Sequence, residues 1–162
     1  MFAAVTGFLL MLQPVPAAPP ALSTTPPSEI PAAIAAAGLP PLAGDAFRFT
    51  DVSPGGRDAT LFDARRTASG TERTIIGLSR TQSGWEVTSR DSHRLAGETF
   101  DYLSKRIETA IATPPPAAGS CPDGSDYRSE RAQAGVIRAL AGCGEGHPNV
   151  MLARLFGVRD TP

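Results

Sequence analysis

TERTIIGLSRTQSGWEVTS, residues 71–89, sets the architecture of the whole chain. Ile76 and Leu78 share one face and Ile75 takes the other, while Trp85 and Val87 share a face beyond Thr81-Gln82-Ser83-Gly84. Alternation of period two marks an extended chain, and a short polar interval ending in Gly joins two such chains as a hairpin. Toward the N-terminus the pattern repeats. DATLFDARR (58–66) leads into the Ala68-Ser69-Gly70 turn, and AFRFTDV (46–52), with Phe47 and Phe49 on one face, leads into Ser53-Pro54-Gly55-Gly56. Four short strands joined by three short turns predict an antiparallel meander. Arg48, Arg65, Arg73 and Arg80 are then expected mostly on its solvated side.

The period changes after Arg90. Phe100, Leu103, Ile107 and Ile111 recur at three, four and four, which makes one apolar stripe on a helix. Asp101 and Lys105 form an exposed i,i+4 pair in the favourable order. The helix is expected over 96–112, capped by Asp91 or Ser92 and stopped by Pro114-Pro115-Pro116. Beyond it, YRSERA and VIRALA flank Gln133-Ala134-Gly135 as two arms of a hairpin; the alanines and arginines of residues 127–141 also suit a helix. The hairpin is the favoured reading. Pro148 then opens a short helix whose apolar face is Val150, Leu152, Leu155 and Phe156, ended by Gly157. The expected fold is α+β: an antiparallel sheet of four to six strands, one long helix packed on a face and a short C-terminal helix.

Phe2 to Leu12, FAAVTGFLLML, is an uncharged apolar run of 11 residues, the length of a signal hydrophobic region and too short to cross a bilayer as a helix. Small residues at −3 and −1 (Val15 and Ala17) offer cleavage after Ala17, so residues 1–17 are expected to act as a signal peptide, although no Lys or Arg precedes the run. Seven prolines within 18–43 predict a Pro/Ala-rich flexible linker, with an optional short helix over 29–37. Residues 44–162 make a single α+β domain. No later run approaches 18 apolar residues, so the mature chain is expected to carry no membrane span.

The chain has 162 residues, 41% of them hydrophobic and 19% charged, and a net charge of −1. That balance fits one globular domain and leaves no basic footprint for nucleic acid. Fourteen of the fifteen basic residues are arginine, Lys105 being the lysine.

The residues with chemical potential are few. Cys121 and Cys143 are the two cysteines, His93 and His147 the two histidines. In an exported protein an even pair of cysteines becomes a disulfide, here closing a loop that holds the 127–141 segment, with an entropic contribution of about 3 kcal/mol. Cys143, which precedes a possible helix start, is also a candidate thiol nucleophile activated by His147 or His93. With Cys121 and His93 they number four, enough for zinc, although zinc sites draw on two compact pairs and only one exists here. His147, just before a first-turn proline, has a structural task available: accepting a free amide of that turn. His93 reads as an exposed loop histidine. Gly142-Cys143-Gly144-Glu145-Gly146 lacks the Lys-Ser/Thr of a phosphate cradle, and Asp123-Gly124-Ser125-Asp126 lacks the distal acid of a calcium loop. No cofactor is expected. These features favour an exported, non-catalytic binding, envelope-associated or inhibitory module with a protein or envelope partner. The competing readings are a secreted or periplasmic enzyme, thiol-dependent or hydrolytic, using Cys143 and His147, and a metal-binding module.

Overall fold

A computed structural model describes residues 29–114, 124–143 and 146–157. The expected meander forms: β1 (Ala46–Val52), β2 (Asp58–Thr67), β3 (Gly70–Thr81) and β4 (Gly84–Leu95), each antiparallel to the one before. The long helix α2 (Gly97–Ala112) follows, then the hairpin β5 (Asp126–Gln133) and β6 (Val136–Ala141). Its turn needs positive φ at two successive residues, and Ala134 (50°) and Gly135 (78°) supply it. The short helix α3 (Pro148–Leu155) ends the described chain, with Gly157 left-handed just beyond it.

The hairpin returns beside β1, not beside β4, so the sheet order is β4-β3-β2-β1-β5-β6. Every residue of β1 is therefore buried. Successive side chains of a strand point to opposite faces, and β1 divides the core accordingly. On one face Phe47 and Phe49 join Phe62, Ala64 and Tyr127 beneath α2, which contributes Phe100, Leu103 and Ile107, and α3, which contributes Leu152. Phe156 closes that layer, its ring centroid 4.6 Å from Phe62 and 5.1 Å from Phe49. Leu155, expected on the apolar face of α3, is exposed. On the opposite face Val52, Ala59, Leu61, Ile76 and Leu78 lie beneath α1 (Ile30–Ala36). The fold is α+β, with a six-stranded antiparallel sheet and three helices among the described residues.

Four expectations are corrected. The helix read as optional within a flexible linker does form, and it is part of the packed body: Ile30, Ala33 and Ala37, spaced three and four apart, are buried against the sheet. β4 does not stop at Ser89 but runs to Leu95, so His93 lies within a strand and not in a loop. In consequence neither Asp91 nor Ser92 caps α2; Ala96 occupies that position and makes no side-chain cap. Arg48 does not face solvent. It is 4% exposed and pairs with Asp63, its cross-strand neighbour on β2, at 2.8 Å.

Candidate functional site

β6 ends at Ala141, and Gly142, with φ of 110°, turns the chain into the segment that carries Cys143 and His147. The Gly142 amide donates to the Tyr127 carbonyl at 2.9 Å, which keeps this segment against β5. Asn149, in the first turn of α3, is wholly buried. Its amide nitrogen donates to the Gly142 carbonyl at 3.0 Å and the Leu140 carbonyl at 3.2 Å, and its oxygen accepts from the Ser129 hydroxyl at 2.6 Å. One side chain thus joins α3, β5 and the end of β6. A buried amide needs its partners in place, because an unmade hydrogen bond there costs about 1–3 kcal/mol.

His147 sits at the N-cap of α3 and is 4% exposed. Its Nδ1 accepts from the Asn149 backbone amide at 3.2 Å, the use of an imidazole expected from HPNV. Burial disfavours the charged ring and holds its pKa below the usual 6.5. With Nδ1 accepting, the neutral ring carries its proton on Nε2, so neither nitrogen offers a free lone pair to a thiol. Cys143 is partly buried against the aromatic layer, its Sγ 3.3 Å from the Ser125 carbonyl oxygen. Cys121, Gly144 and Glu145 lie outside the described residues.

His93 stands elsewhere. It is exposed on β4, with Nε2 2.8 Å from the Asp91 carboxylate. Four inter-strand steps of about 4.8 Å place β4 roughly 19 Å from β5, so His93 does not join Cys143 and His147. Among the described residues no three His, Cys, Asp or Glu side chains are grouped to hold a metal ion.

Three buried polar arrangements had no signal in the sequence. Asp63 accepts from both Arg48 and Arg65 on the face beneath α1. Arg131, 3% exposed, reaches Glu108 of α2 at 2.9 Å and Asp45 at 2.6 Å on the other face. The third is Ser129 with Asn149. Each involves a cross-strand or strand-to-helix partner far along the chain, and period-two patterns do not record such pairs. The outer strand β4 is exposed on both faces over residues 86–94, an open sheet edge with a register shift opposite Gly77 and Leu78.

No family model matches the chain, and no curated protein matches it.

Proposed function

We propose that the chain is an exported, non-catalytic binding module, clasped by a Cys121–Cys143 disulfide, that acts through its surface on a protein or envelope partner. The observation that carries this reading is the bond from the Asn149 amide to His147 Nδ1. It commits His147, four residues from Cys143, to the start of a helix, where its Nδ1 lone pair is already taken. Other buried polar side chains are similarly engaged in joining elements: Arg48 with Asp63, Arg131 with Glu108, Asn149 with Ser129. A clasp between Cys121 and Cys143 would close a ring around β5 and β6, the hairpin that completes the sheet beside β1. The apolar run at residues 2–12 supports passage to a compartment where such a bond persists.

The test is alkylation of purified, non-reduced protein under denaturing conditions, followed by intact mass measurement, together with fractionation of cells expressing the full chain. The expected result is no alkylated cysteine, a mass two hydrogens below the reduced form, and recovery outside the cytoplasm with residues 1–17 removed. Two alkylated cysteines in native material would overturn the clasp and reopen thiol chemistry at Cys143. Full-length protein retained in the cytoplasm would overturn export.

A further inference from the structure

One arginine from each of four consecutive strands reaches the segment preceding β1. Arg48 of β1 donates to the Pro40 carbonyl at 3.2 Å, and Arg65 of β2 donates to the Pro40 and Pro41 carbonyls at 2.7 and 2.9 Å. Arg80 of β3 pairs with the Glu29 carboxylate, and Arg90 of β4 donates to the Ala37 carbonyl. Three of these four arginines thus read main-chain oxygens, and the fourth reads a single carboxylate. Prolines 40 and 41 have no amide hydrogen, so their segment cannot add to the sheet as a regular strand, yet its carbonyls remain open to side-chain donors. Beside this cationic rail, Ile30, Ala33 and Ala37 fill a trough over Leu61, Ile76 and Leu78. The occupant is a helix of 7 residues, too short to hold itself in water.

Recognition through carbonyls does not depend on which molecule supplies them. We propose that this sheet face is a peptide-docking groove, filled in cis by residues 29–43 and open to the same segment of a second copy of the chain. The second copy is the favoured occupant because it offers the identical acidic residue, apolar spacing and proline carbonyls. The connection also permits exchange. Asp45 is fixed at the sheet, its carbonyl accepting from the Arg66 amide at 2.9 Å and its carboxylate pairing with Arg66 and Arg131. Between it and the last buried residue of the segment, Leu42, stand only Ala43 and Gly44, and Gly44 has φ of 68°. A swing at that glycine carries the segment from one copy to its neighbour while β1 stays in place. The inference goes beyond the function proposed above and holds in whichever compartment the chain resides.

The test adds a fluorescein-labelled peptide of residues 29–43 to the full chain, wild type and Glu29→Ala. The variant's own segment loses its contact with Arg80 while the peptide keeps Glu29, so the peptide should bind the variant about two- to fivefold tighter than wild type. A scrambled peptide should not bind. Sedimentation of the wild-type chain should show a monomer–dimer equilibrium that the peptide shifts toward monomer. Hydrogen exchange of the unmodified chain supplies a measurement independent of any variant: amides of α1 should exchange by local opening, ahead of those in β1 and β2. Equal protection of α1 and β1, no saturable binding to a folded variant, or a chain that stays monomeric at every concentration would each overturn the proposal.

Discussion

Ser129 donates to the side-chain oxygen of Asn149 at 2.6 Å, and both residues are wholly buried. This bond fastens α3 to β5 at the place where the chain leaves the sheet. Ser129→Ala strands the Asn149 oxygen and is expected to lower stability by about 1–3 kcal/mol in urea unfolding. Asn149→Ala removes donors to the Gly142 and Leu140 carbonyls as well, and its loss should be the larger. Combined, the two substitutions should cost less than the sum of the single ones, because they break one shared network.

Asp63 lies between Arg48 and Arg65 with a 3% exposed side chain, and Arg48 is nearly as buried. Asp63→Ala leaves the Arg48 guanidinium buried without its counter-ion, and a loss of about 3–5 kcal/mol is expected. Replacing both partners, as Arg48→Met with Asp63→Leu, should be much milder, since two desolvated charges leave together. Chemical denaturation of the three variants checks the order.

The His147 imidazole links folding to pH. Its pKa is lowered by burial from 6.5, so below 6.5 the unfolded chain binds a proton that the folded chain resists. The contribution is fully present above pH 6.5 and is lost progressively as pH falls from there through the folded value. Protonation at Nδ1 also removes the acceptor that holds the Asn149 amide. His147→Asn retains a helix-capping oxygen and has no proton to gain. Unfolding curves at pH 7.0 and 5.5 should therefore show a smaller difference for the variant than for the wild type. An unchanged difference would place the linkage on other groups.

Gly77 stands where β3 and β4 slip register, and a Cβ built on it would lie 2.5 Å from the Ser89 hydroxyl oxygen. Gly77→Ala is expected to cost about 1–3 kcal/mol through this overlap. Adding Ser89→Ala removes the clashing oxygen and should restore part of the loss in a thermal melt. A full loss that persists in the double variant would trace the effect to the backbone instead.

Much of this architecture is readable in the residues themselves. The four strands, the stripe of Phe100, Leu103 and Ile107, the turn at Ala134 and Gly135, and the capping use of His147 all leave local marks. What escapes is non-local. Residues 90–94 of β4 show no apolar alternation because both faces there meet solvent, and only backbone pairing with β3 makes them a strand. Arg48 resembles any solvated strand arginine until Asp63 and the Pro40 carbonyl are found beside it. The stripe of Ile30, Ala33 and Ala37 is present in sequence, but alanines contrast weakly with the alanines around them. The candidate site is visible as residue types, but linear order does not report the four strand spacings that separate His93 on β4 from β5.

Strand β1 finds its second neighbour, β5, more than seventy residues later in the chain. Until that hairpin is made, the strand that ends fully buried presents one unpaired side to its surroundings. Closing so long a loop is slow compared with zipping the meander, and an open strand edge invites pairing with other chains in the meantime. The molecule is thus most vulnerable early, with β1 to β4 assembled and the last third of the polypeptide still to arrive.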